Sequence, residues 1–153
     1  MRSPLPSFDG AADWINGAQP SAASLDGKPI VVQFWSMSCY MCHNAAEQVN
    51  AWRDKYEPLG FVFIAVHQPR SEAELDVEAV RKDALEEMKL TQLCALDNDH
   101  TIVDRFANQF VPSYYIFDRA HQLRHFQAGD KGFERIEAAL DRVLHEPVPA
   151  SVG

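Results

Sequence analysis

Apolar and polar positions along this chain switch between two periods. Residues 29–35, PIVVQFW, and 61–67, FVFIAVH, are short, nearly continuous apolar runs rich in β-branched and aromatic side chains. Asp26-Gly27 precedes the first run, serines follow it, and Pro69 ends the second. Runs of this kind predict strands buried on both faces. Between them Ala45, Val49, Trp52 and Tyr56 recur at helical spacing from Cys39 onward, until Pro58 and Gly60 stop the helix. A second helix is predicted over 75–88, where Val77, Val80, Ala84 and Met88 form one stripe. A third strand is predicted at 92–96, and a short helix carries Ile102, Val103 and Phe106. SYYIF (113–117) and LRHFQA (123–128) read as an antiparallel pair, followed by a helix presenting Phe133, Ile136, Leu140 and Val143.

The resulting order, β-α-β-α-β-α-β-β-α, describes an α/β protein with a mixed central sheet and helices on its faces. Chemistry in such folds sits beyond the carboxyl ends of the parallel strands. Cys39 lies at such an end, where strand 29–35 hands over to the helix. At 153 residues the chain is most simply one domain, with a core of about 10–145. The first ten residues and the tail EPVPASVG are rich in Pro and small residues, so both ends are expected to be poorly packed.

Charge narrows the partners. A net charge of −8 argues against nucleic acid and against an anionic membrane surface. No apolar run reaches the roughly 20 residues of a spanning helix. The start, MRSPLPSFDGAADW, has no apolar h-region, so a cytoplasmic protein is expected, or an extracytoplasmic one if a leader has been removed.

Chemistry concentrates in Cys39-Tyr40-Met41-Cys42-His43. Three cysteines cannot all pair internally, so a close pair plus the odd Cys94 points to redox or metal chemistry. A cysteine in the first turn of a helix meets unsatisfied N–H groups and the positive end of the dipole, which favour thiolate. Cys39 is therefore expected to be the exposed attacking thiol and Cys42 the more buried resolving one, within disulfide reach. A c-type haem on this CxxCH run would need a distal ligand such as Met88 or His100, and a loop to wrap the porphyrin. The apolar strand running straight into the motif leaves no such loop. A zinc site on Cys39, Cys42 and His43 lacks a second ligand pair, which lone Cys94 does not supply. Neither metal nor cofactor is called for.

VVQFWSMSCYMC, with VPSYYIFD about seventy residues on and a final strand and helix, resembles the thioredoxin fold. That likeness implies a three-layer α/β/α arrangement. The helical insert after the second buried strand, and CALDNDHTIVDRF, make the chain similar to TlpA/ResA-like thiol-disulfide oxidoreductases. The resemblance implies that Cys39 is the nucleophile, Cys42 the resolving cysteine and Pro112 a cis-proline facing them. Val111 would then offer its backbone to an incoming strand, while Trp35 and Tyr40, by their place beside the cysteines, read either as part of a substrate platform or as core or rim residues alone. It implies a protein disulfide or dithiol substrate, a separate electron donor, reduction as the favoured direction, and a monomer. Ser38 stands where many relatives carry Trp, Gln33 where thioredoxin has a buried Asp, and Ala45 where ResA-like members have Glu. No carboxylate base for Cys42 is therefore evident, and water, His43 or Glu47 remain open.

The remaining candidates read as structural. His43 and Glu47 are expected to pair at i,i+4 on the helix surface. His67 is expected to be a capping or surface histidine, Cys94 a buried filler, and His100 with the DNDH acids turn and cap chemistry. A peroxiredoxin-like peroxidase is a competing class, but Val32 holds its Pro position and only Ser36 stands in for its Thr. A non-catalytic binding module with an incidental CxxC is the other alternative.

Overall fold

Six strands form one sheet in the order β1-β4-β3-β2-β5-β6. The structure is a computed structural model that describes residues 3–147. The strands are β1 (Asp13–Ile15), β2 (Ile30–Trp35), β3 (Val62–His67), β4 (Leu93–Leu96), β5 (Ser113–Phe117) and β6 (Leu123–Ala128). β2, β3 and β4 run parallel, while β1, β5 and β6 pair antiparallel with their neighbours. The helices are α1 (Ala22–Leu25), α2 (Tyr40–Tyr56), α3 (Val77–Lys82), α4 (Thr101–Phe106) and α5 (Phe133–Leu144). Every strand read from the sequence is present, as is every helix except that over 75–88, which is broken up, and the fold is thioredoxin-like.

The alternation along β5 shows how the sheet divides the core. Tyr114 and Ile116 join Val49, Trp52 and Tyr56 of α2 and Ile136, Leu140 and Val143 of α5 in one cluster. Tyr115 and Phe117 face the other way, into a larger cluster with Ile102 and Phe106 of α4, Val80, Cys39 and Cys42. The central strand β2 is buried throughout, as its continuous apolar run predicts.

Two regions differ from the sequence reading. The first ten residues are not loose over the part described: Phe8 is 5% exposed and packs against Trp14 and Phe106. Leu5 N donates to His121 O, and Leu123 N donates to Ser3 O. A single aromatic plug in a Pro-rich stretch leaves no periodicity to read, and the three-residue β1 is equally silent. The tail from residue 148 lies outside the described residues.

The stripe over 75–88 is real but not one helix. A 3-10 turn at Glu72–Leu75 leads into α3, whose last turns widen into a π segment at Asp83–Glu87. Met88 N reaches back five residues to Asp83 O. The wider turn still buries Val80, Ala84 and Met88 on one face, while re-aiming the side chains between them.

Candidate active site

β2 delivers the chain to a short loop, Ser36-Met37-Ser38, and then to Cys39 at the N-cap of α2. Cys39 has extended backbone (φ −93°, ψ 106°), and its Sγ accepts from Cys42 N at 3.1 Å, so the sulfur sits where a capping oxygen ordinarily would. Cys39 and Cys42 are joined as a disulfide with Cα atoms 5.2 Å apart. Against expectation, Cys39 is as buried as Cys42 in this oxidised form (2% and 1% exposed). Capping folds its sulfur under the helix start, and Tyr40 and Met41 form the outer surface instead, at 74% and 39% exposure.

Of the platform, core and rim places open to Trp35, it takes the core and is wholly buried. Its ring lies edge-on to His67 (4.8 Å between centroids) and to His43 (6.5 Å), so it underlies the site rather than facing solvent. The Val111–Pro112 peptide bond is cis. Phe34 pairs with Ser113 across β2 and β5, which sets Pro112 just beyond the ladder at the cysteine end of the sheet. Val111 belongs to the same apolar cluster as both cysteines, and Phe110 before it is 60% exposed.

His67 is a correction. It is neither cap nor surface residue but fully buried, because the register Trp35↔His67 places it inside the sheet beneath the helical insert. Met37 N donates to its Nε2 at 3.1 Å. The accepting Nε2 leaves a neutral ring with its proton on Nδ1, which has no partner among the described residues. Burial pushes the His67 pKa down to about 4, against the pull of Glu74, whose Oε1 lies 3.5 Å from Nε2. Glu74 itself is 1% exposed on its side chain. Burial pushes its carboxyl up, but hydrogen bonds from Ser38 N, Arg70 N and Ser38 Oγ hold it below its ordinary value.

His43 also departs from expectation. It does not turn to Glu47: Nδ1 lies 2.7 Å from Cys39 O and Nε2 lies 2.8 Å from Asp83 Oδ2. Cys39 O can only accept, so Nδ1 donates to it, and an ionised Asp83 facing Nε2 favours a proton there as well. Burial would lower the His43 pKa, but the bonds to Cys39 O and Asp83 outweigh it and raise it. With both nitrogens occupied, His43 is committed to neither an axial nor a zinc position.

Gln33, standing where thioredoxin has its Asp, accepts from Gln92 Nε2 at 3.2 Å; Gln92 in turn accepts from Arg53 at 2.9 Å. This position ties the sheet together rather than serving the sulfurs. Ser36 Oγ donates to Gln68 O, which takes the hydroxyl a peroxidase reading would need. Cys94 is the expected buried filler, its thiol pushed up to about 12 by burial. His100 bonds Pro69 O, while Asp97 supplies the cap by accepting from Ile102 N and Val103 N. Among the described residues no three His, Cys, Asp or Glu side chains converge as a metal set. Sequence reasoning missed Glu74 and Asp83, since both look like ordinary charges of an acidic insert and only the folded chain brings them to the loop.

Residues 1–126 match the AhpC/TSA family. The chain is 43% identical over 146 residues to the thiol-disulfide oxidoreductase YkuV of Bacillus subtilis (strain 168), covering 95% of this chain and 97% of that protein. Protein DipZ of Mycobacterium tuberculosis (strain CDC 1551 / Oshkosh) is 29% identical over 147 residues, a match spanning 94% of this chain but 21% of DipZ. The solution structure of a thioredoxin-like protein in the oxidized form superposes with a TM-score of 0.82 at 43% identity, covering 94% of this chain and 95% of that one. A crystal structure described as a thiol:disulfide interchange protein DsbE from Chlorobium tepidum shares the fold, with a TM-score of 0.79 at 18% identity, covering 94% and 96%. The disulfide at the head of α2, the family match across most of the chain and the near-full-length relative lead to one conclusion: this chain belongs to the AhpC/TSA family, as a thiol-disulfide oxidoreductase.

Proposed function

We propose that the protein is a single-domain, monomeric protein-disulfide reductase working through Cys39 and Cys42. The observation that carries this reading is the pair itself: two cysteines joined at the N-cap of α2, at the end of the sheet where Val111 and Pro112 also lie. In the reduced protein Cys39 thiolate attacks one sulfur of a substrate disulfide. A mixed disulfide forms and the other substrate sulfur leaves as thiolate. Cys42 then attacks Cys39 Sγ, expelling the second substrate thiolate and closing Cys39–Cys42. Two electrons pass to the substrate, the protons given up by the Cys39 and Cys42 thiols reach the substrate thiolates through solvent, and an external dithiol donor resets the pair.

The position of Val111 just ahead of β5, at the cysteine end of the sheet, supports substrate alignment by backbone pairing, and exposed Tyr40, Met41 and Phe110 supply apolar contact for a protein chain. Among the described residues no helix is long and apolar enough to cross a membrane. Cys42→Ser is expected to trap a covalent complex with a peptide disulfide, and Cys39→Ser to trap little. Equal trapping would overturn the assignment of roles. Direction is read from the potential of the couple against glutathione, with a value below the glutathione pool expected for a reductase. Alkylation trapping of the pair in cells would test the cytoplasmic setting, where it should be found reduced.

A further inference from the structure

The two residues ahead of Cys39 are held by side chains from outside the motif. His67, at the end of β3, accepts from Met37 N at 3.1 Å. Glu74, from the insert, accepts from Ser38 N at 3.1 Å and from Ser38 Oγ at 3.0 Å. The same carboxylate takes Arg70 N at 3.0 Å and Ser71 Oγ at 3.2 Å. A wholly buried carboxylate is thus bonded to four donors, two of them on the residue adjoining the nucleophile. That is a fixed support rather than a solvated surface acid.

Charge gives the support a second consequence. Glu74 brings a buried negative charge beside the residue that must itself become an anion when the disulfide opens, and like charges disfavour ionisation. The other charged groups are the Arg70 guanidinium, whose Nε donates to Ser38 Oγ at 3.1 Å on the exposed side, and, behind Cys42, the His43–Asp83 pair with Glu87 near both. His67 is neutral. Of these, the Glu74 charge is the one most enclosed and least screened.

We propose that Glu74 is a positioning residue for Cys39, fixing the Met37–Ser38 backbone together with His67, and that its buried charge keeps the Cys39–Cys42 couple reducing. This rests on the reading of the pair as a reductase. Glu74→Gln removes the charge and gives the four donors a partner that is itself half donor. Two changes are expected in the folded variant. The reduced Cys39 alkylates with a midpoint about one pH unit more acid, and the equilibrium with glutathione moves about tenfold toward the dithiol, a potential higher by about 30 mV.

Ser38→Ala keeps the charge and breaks one link. Its potential should stay at the wild-type value, while attack by Cys39 thiolate on a peptide disulfide slows about threefold or more at unchanged KM. The wild-type potential by itself tests the reductase reading, whereas the two variant shifts test Glu74. A Glu74→Gln protein that melts lower but keeps the wild-type Cys39 profile and potential would reduce Glu74 to a structural role and overturn the proposal. If that variant does not fold, Ser38→Ala decides alone, and wild-type attack in it overturns the proposal equally.

Discussion

Two histidine–carboxylate pairs flank the disulfide, alike in composition and opposite in state. His67–Glu74, ahead of Cys39, is 0% and 1% exposed with 3.5 Å between nitrogen and oxygen; His43–Asp83, behind Cys42, is 28% and 15% exposed and 2.8 Å apart. Complete burial strips His67 of its charge and leaves Glu74 ionised on donated N–H and O–H groups. At the second pair, the bonds to Cys39 O and Asp83 outweigh partial burial and favour the charged form of the histidine. Burial pushes Asp83 up, though the bond to His43 pulls it down. The lesson is that the donor–acceptor pattern around a ring, with its burial, sets its charge; the identity of its partner does not.

The largest effect that would break this comparison is in stability. Glu74→Ala leaves Ser38 N and Arg70 N, partly buried under the insert, without their acceptor. It should destabilise the fold by about 3 kcal/mol in urea unfolding, the scale for breaking a buried charged network. Asp83→Ala, at the more exposed pair, should lower stability by about 1 kcal/mol or less. Equal losses would mean that burial does not separate the pairs.

Next is pH. The folded pKa of His67 lies below its unfolded value, so the unfolded chain binds more protons between about 6.5 and about 4. Stability should therefore fall as pH drops through that window, at a limiting slope of about 1.4 kcal/mol per pH unit from this group. Glu74, whose folded pKa is also depressed, adds to the loss at the acid end, as stability present above the unfolded carboxyl pKa disappears on protonation. His43 behaves oppositely: its raised pKa contributes stability below the unfolded value that is lost as pH rises through the folded one. Urea midpoints from pH 4 to 9 should show His43→Gln flattening the alkaline side and leaving the acid side unchanged. An acid-side change in that variant would show that the pairs do not titrate separately.

A smaller effect is expected at Cys94, which lies in the same cluster as the redox pair but takes no part in it. Its thiol, pushed up to about 12, should resist iodoacetamide at neutral pH while reduced Cys39 reacts. Cys94→Ala should keep wild-type exchange at a stability loss of about 1 kcal/mol. Lost exchange in a well-folded variant would draw a third cysteine into the chemistry. The smallest effect sharpens the second pair. Since His43 turns to Asp83, Glu47→Ala should leave stability within about 0.5 kcal/mol and exchange unchanged.

Periodicity and spacing already determined the alternation of strands and helices, the place of Cys39 at a strand-to-helix junction, and the two-residue gap that lets Cys42 close on it. These are local properties: a run of β-branched residues, a stripe every three or four positions, and a pair one helical turn apart carry their signal within a few neighbours. The plug at Phe8, the burial of Trp35 and His67, and the reach of Glu74 and Asp83 from the insert to the loop around the cysteines belong to the tertiary structure. Glu74 and Ser38 are 36 residues apart in the chain, and nothing in either neighbourhood marks them as partners. Sheet register and the widened turn at Asp83–Glu87 bring such groups together, and only there does burial decide which of two histidines carries a proton.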